Sequence, residues 1–201
     1  MFLRNYDNIL TAFQFGYPGY TSTNTFQDGS LTLKTTGGSY YSISVSRDSY
    51  GTFNTGLFGY TYGTYNTNYY YSYGLVIGSG NTNNLGEVGV DYNDFKLSKM
   101  LTSSDLLYVK SSYSDVMYDD ELKTYTRTYS KTFQTVREIT IREIGAIAHN
   151  SILTYRELIP GDEGDGITIP AGVTFTVSIE TVVAGNLNKP IEVIPSVEVE
   201  E

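Results

Sequence analysis

Apolar and polar positions alternate with the two-residue period of β-strands through most of this chain, and no stretch sustains a helical period. The pattern is clearest in the last third. Tyr125, Tyr129 and Phe133 fall on one face of an extended segment, opposite Thr124, Thr126, Thr128, Ser130 and Thr132. Val173, Phe175, Val177 and Ile179 likewise oppose Thr174, Thr176, Ser178 and Glu180. Between them, Ile139 and Ile141 alternate with Glu138, Thr140 and Arg142, and Ile152-Leu153 opens a strand that ends at Pro160-Gly161. Pro170-Ala171-Gly172 predicts a turn before the last long strand, since proline presets φ and glycine accepts a positive one.

Upstream, Leu31-Thr32-Leu33-Lys34 leads through Thr36-Gly37-Gly38-Ser39 to Tyr41, Ile43 and Val45, which alternate with Ser42, Ser44 and Ser46. That order predicts a hairpin. Leu75-Val76-Ile77 is short and continuous, as in a buried strand, and runs into Gly78-Ser79-Gly80. Leu106-Leu107-Tyr108-Val109-Lys110 predicts another strand after a loop at 98–105, and 97–107 has room for a short turn of helix. Strands of this spacing with polar outer faces predict an all-β fold, a two-layer antiparallel β-sandwich of jelly-roll-like form.

Three regions stand apart from the alternation. Residues 1–30, rich in Asn, Thr, Gly and aromatics, read as an extended N-terminal arm with turns at Tyr17-Pro18-Gly19-Tyr20 and Gln27-Asp28-Gly29-Ser30. The sandwich domain is placed at 31–185 and contains a Gly/Tyr-rich insertion at about 50–73. Residues 186–201, ending Glu198-Val199-Glu200-Glu201, read as an acidic tail or as a strand added to a neighbour, because Ile191, Val193, Val197 and Val199 keep period two.

Composition changes this picture in one direction. The chain carries 20 tyrosines, 9 phenylalanines and no tryptophan. A tyrosine ring covers a large area while its hydroxyl stays wet, which suits interfaces. The tyrosines that cluster in the arm and insertion (Tyr17, Tyr20, Tyr60, Tyr62, Tyr65, Tyr69, Tyr70, Tyr71 and Tyr73) are therefore the candidate interface residues. A net charge of -9 argues against binding nucleic acid or anionic lipid. No cysteine is present, so disulfides, thiolate metal sites and cysteine nucleophiles are excluded. The start, Met1-Phe2-Leu3-Arg4-Asn5-Tyr6-Asp7, shows no basic and apolar signal pattern, and no run approaches the ~20 apolar residues of a membrane helix.

Candidate chemistry is sparse. His149, the only histidine, precedes Asn150 and Ser151, but a triad needs a base, a nucleophile and a carboxylate assembled in space. Asp119-Asp120-Glu121 and Asp162-Glu163-Gly164-Asp165-Gly166 are acidic turns without the spacing of a calcium loop. Gly78-Ser79-Gly80 precedes no helix, so it lacks the context of a phosphate cradle. No catalytic residue, cofactor or metal is expected. Arg142-Glu143 and Arg156-Glu157 place opposite charges on successive strands, where a cross-strand pair would help set register by roughly 0.2–1 kcal/mol.

Several pieces in a shared order carry a resemblance. They are Leu75-Val76-Ile77-Gly78-Ser79-Gly80 with Asp94-Phe95-Lys96-Leu97; Tyr125-Thr126-Arg127-Thr128-Tyr129; Ile139-Thr140-Ile141-Arg142-Glu143-Ile144-Gly145; Leu153-Thr154-Tyr155-Arg156-Glu157-Leu158; and Ile169-Pro170-Ala171-Gly172-Val173-Thr174-Phe175-Thr176-Val177. Over residues 74–185 the chain resembles small β-sandwich structural proteins of tailed-bacteriophage virions. The resemblance implies a non-enzymatic neck, tail, fibre or capsid-surface component, assembled in the bacterial cytoplasm as a homo-oligomer or multi-copy array with other virion proteins. The Gly/Tyr-rich insertion departs from that pattern. It leaves open a receptor- or glycan-binding module with tyrosines as stacking platforms, and, more remotely, a depolymerase using Asp119 and Asp120.

Overall fold

The computed structural model describes residues 3–5, 29–45, 74–113, 117–148, 152–159, 165–184 and 192–199. Within them the chain is all-β, built of several antiparallel sheets. The strands are β1 (Gly29–Lys34), β2 (Tyr40–Val45), β3 (Gly74–Gly78), β4 (Leu106–Tyr113), β5 (Met117–Asp119) and β6 (Thr124–Thr135). They continue as β7 (Ile139–Ile141), β8 (Glu143–Ala148), β9 (Ile152–Leu158), β10 (Ile167–Ile169), β11 (Thr174–Ala184) and β12 (Glu192–Val199).

A long sheet has the order β12-β11-β6-β4, with β5 beside the first residues of β6. A short sheet has the order β3-β8-β9, and two ribbons pair β1 with β2 and β7 with β10. The chain crosses between the two sheets more than once. β3 pairs with β8 although β4 and β6 intervene in the long sheet. β6 pairs with β11 although β8 and β9 intervene in the short one.

The alternation of the long sheet sorts its side chains. In β6 and β11 the register Phe175↔Phe133, Val177↔Lys131 and Ile179↔Tyr129 places the large residues on one face. On the opposite face hydroxyls meet across the strands, Thr132 with Thr176 and Ser130 with Ser178, each at 2.8 Å. The inner face packs against Leu75, Ile77, Ile144, Ala146 and Tyr155 of the short sheet, and Ile139, Ile141 and Ile169 of the ribbon join this core. The Phe133 and Phe175 rings sit 5.8 Å apart within it.

The short sheet is covered on its other face as well. Val76, Ile147 and Leu153 pack there with Leu97, Val90 and Met100 of the 79–101 loop and with Leu3. A strand buried on both faces has no polar side to alternate with, which is why Leu75-Val76-Ile77 is continuously apolar. The loop 97–107 carries a single turn, closed by the Asp105 and Leu106 amides donating to the Thr102 carbonyl at 2.9 and 3.0 Å.

Both ends of the described chain return to the fold. Where an extended arm is expected, Leu3 is fully buried and its amide donates to the Thr154 carbonyl at 2.9 Å. The Asn5 amide group donates to the carbonyls of Lys34 and Leu153 at 2.9 and 3.1 Å. Residues 6–28 of the expected arm lie outside the described residues. At the other terminus, where the sequence leaves a tail and a strand added to a neighbour as alternatives, β12 is an edge strand of the chain's own long sheet, paired from Phe175↔Val199 to Val182↔Glu192.

Candidate protein-interaction site

The nine candidate tyrosines of the arm and insertion lie outside the described residues, as do His149, Asn150, Ser151 and the Asp162-Glu163-Gly164 turn. The described residues hold two other features that chemistry singles out, a buried charge centre and an exposed apolar hairpin.

The charge centre is built on β8 and β9. Arg156 and Glu143 are both fully buried and Asp94 nearly so. The Arg156 guanidinium donates from Nε to Glu143 at 2.9 Å, from Nη1 to Asp94 at 2.5 Å, and from Nη2 to the Thr82 carbonyl at 2.6 Å. The carboxylates are further engaged by backbone. Glu143 accepts the Ser98 and Lys99 amides at 3.0 and 2.9 Å, and Asp94 accepts those of Asn84 and Asp91 at 2.7 and 3.0 Å.

Desolvating three charges is tolerable only with such saturation of lone pairs and protons. The result is mechanical: one arginine ties both limbs of the 79–101 loop to the β8–β9 hairpin. The cross-strand pair expected between these strands forms between Arg156 and Glu143, but in the interior and with Asp94 as a third member. Gly78 and Gly80 belong to the same construction. A Cβ at Gly78 would lie 2.4 Å from Glu143 Oε1, and one at Gly80 would lie 2.4 Å from Ser98 Cβ. These glycines let the loop and the carboxylate approach the strand, a packing role that the Gly-x-Gly spacing also permits.

Held in this way, the loop presents a fixed tip. Asn83 Oδ1 accepts the Leu85 and Glu87 amides at 2.9 and 3.0 Å, and Asn84 exchanges bonds with Phe95 and Lys96 at 2.7 and 3.2 Å. Leu85 and Val88 nevertheless point into solvent, at 77% and 64% exposure.

The hairpin lies at the other end of the long sheet. β6 runs for 12 residues and β11 for 11, whereas the strands of the short sheet have 5, 6 and 7. The long sheet therefore outruns its cover. Tyr125 shares the inward face with Tyr129 and Phe133, as the alternation predicts, yet it is half-exposed, and among the described residues no second sheet reaches it. Tyr118 pairs with it across β5 and β6, with ring centroids 4.8 Å apart. Val183, paired with Tyr125 across β6 and β11, and Leu122 of the turn are exposed as well, while Met117, paired with Thr126, is exposed on the opposite face. The connecting turn is firm: Asp119 Oδ1 accepts the Glu121 and Leu122 amides at 2.9 and 2.8 Å, and Lys123 takes a positive φ of 53°.

Sequence reading misses Met117, Tyr118 and Leu122. The available signal is the short strand before Asp119, whose residues continue the alternation of the following one. Asp119 caps the turn, and Asp120 bonds Lys123 at 2.7 Å. Among the described residues no group of acidic or histidine side chains has the makings of a metal site, and no helix is long and apolar enough to cross a membrane.

Two further titratable groups are structural. Burial works to raise the Asp105 carboxyl, but the Thr102 amide and the Arg137 guanidinium outweigh it and hold the group below its usual range. Burial pushes the Tyr155 hydroxyl far up, and its bond to Glu157 adds to the effect. No protein-family model, curated protein or solved structure matches the chain.

Proposed function

We propose that this chain is a non-enzymatic structural component of a tailed-phage virion, a two-layer, jelly-roll-like β-sandwich that works through fixed contacts with other protein subunits. The observation that carries the reading is the exposed end of the long sheet, where Tyr118, Tyr125 and Val183 share one face beside Leu122 of the turn. Contiguous apolar surface on a rigid element favours protein partners, because a preformed aromatic anchor loses little conformational freedom on docking.

Two facts add to it. The carboxylates of Asp94 and Glu143 are occupied in neutralising Arg156, that of Asp119 in holding its turn and that of Asp120 in pairing with Lys123. The pieces that carry the phage resemblance fall on β3, the 79–101 loop, β6, the β7–β8 segment, β9 and the β10–β11 turn, which together enclose the main core. The receptor- or glycan-binding alternative rests on tyrosines outside the described residues, and no described feature favours it.

The test is composition. Particles produced with this gene and purified through a density gradient should contain the chain at a constant ratio to the major capsid protein. A chain that stays in the soluble fraction, absent from particles, would refute the proposal.

A further inference from the structure

We infer that copies of this chain associate head to tail, with the β5–β6 hairpin of one copy docking on the 79–101 loop surface of the next. The inference deepens the reading of the chain as a subunit that works by contact, and names the partner as a second copy.

The two surfaces sit at opposite ends. β4 begins where β6 ends, at Leu106↔Thr135, and the 79–101 loop enters that end through the Leu101 amide on the Ile77 carbonyl at 2.9 Å. The hairpin turn lies at Thr124, eleven strand positions away, or about 35 Å at the rise of an extended chain. One copy cannot bring them together, so a contact between them joins two copies, and where the copies stack in one direction it propagates to a ring or a filament.

The surfaces are complementary. Both are apolar: Tyr118, Leu122, Tyr125 and Val183 on the hairpin end, and Leu85, Val88 and Tyr92 on the loop, all exposed. Their charges oppose. The hairpin turn carries Asp119, Asp120 and Glu121 against Lys123 alone. In a chain of net charge -9 the loop surface gathers cations, with Arg4, Lys34, Lys96 and Lys99 against Glu87 and Asp91 at its rim. Arg4 belongs to it through its amide on the Tyr92 carbonyl and its guanidinium on Asn93, and Lys34 through the Phe95 ring at 3.9 Å.

Neither outer strand offers a simpler route by sheet extension. β12 has Pro195 in mid-strand, which lacks an amide proton, and β4 is broken by a bulge at Val109, where the register steps from Tyr108↔Phe133 to Lys110↔Thr132. Both devices blunt an edge against pairing.

Charge exchange tests the contact. One variant carries D120K and E121K, which spares the turn-capping Asp119; the other carries K96E and K99E. All four side chains are exposed, so circular dichroism should show both variants folded. In sedimentation velocity at low salt across the micromolar range, the wild type should form species larger than the monomer that dissociate as salt rises. Each variant alone should associate about tenfold more weakly or less. An equimolar mixture should recover association, because each reversed surface then meets its reversed partner. A wild type that stays monomeric throughout, or a mixture that fails to recover, overturns the head-to-tail contact. Either result would leave the presence of the chain in particles to be judged by particle composition.

Discussion

Replacing Lys131 by methionine should alter the pH dependence of stability more than any exposed substitution could. The side chain is 4% exposed on the inner face of β6. Its ammonium donates to the Leu75 carbonyl at 3.0 Å and lies 5.4 Å from the Phe133 ring centre and 5.9 Å from that of Tyr108. Burial pulls its pKa from 10.5 down to about 7. The unfolded chain keeps the proton up to the higher value, so between pH 7 and 10.5 it binds more protons than the folded chain, and stability climbs with pH through that window. The full shift corresponds to about 5 kcal/mol, present above the window and lost as pH falls through the folded value. Methionine fills a similar volume without a charge, and it sacrifices a hydrogen bond worth about 1 kcal/mol. Lys131→Met should therefore be more stable than wild type by about 4 kcal/mol near pH 6. It should lose that advantage, or fall slightly below wild type, by about pH 9.5. Urea unfolding at several pH values, with the slope of each transition checked for constancy, measures the difference. A gap between the two proteins that does not change with pH would refute the reasoning.

Other substitutions probe the loop and its anchor. Arg156→Met leaves Asp94 and Glu143 buried without their counter-charge and should cost about 3–5 kcal/mol in urea unfolding; adding D94N and E143Q should restore part of it. Gly78→Ala sets a methyl group 2.4 Å from Glu143 Oε1 and 2.7 Å from the Lys99 carbonyl, and should lower stability by about 1–3 kcal/mol. Leu3→Ala empties a fully buried site in the second core and should lower stability by about 3 kcal/mol, read from the same transition. A Leu3→Ala change without effect would mean that the first residues do not hold the short sheet.

Much of the fold is legible in the residue pattern because one side of the long sheet faces solvent. Alternation in β6 and β11 reports directly which residues point inward, and the β1–β2 hairpin follows from its glycine turn. The short sheet is harder to read, since burial on both faces erases the alternation that marks a strand. The charge centre is only half legible. Arg156 and Glu143 are visible as opposite charges on successive strands, but Asp94 lies 62 positions from Arg156, and no local pattern reveals that a loop folds back to it. The apolar hairpin escapes for a different reason. Tyr125 has the same sequence signature as Phe133, and only the lengths of the two sheets decide that one is covered and the other is not.

Hydroxyl-radical footprinting of the chain, free in solution and within purified particles, tests most directly whether the uncovered end of the long sheet is a subunit contact. The account predicts that Met117, Tyr118 and Tyr125 are oxidised readily in the free chain and protected in the particle, while buried Phe133 and Phe175 react slowly in both. Equal reactivity of the three hairpin residues in the two states would contradict it.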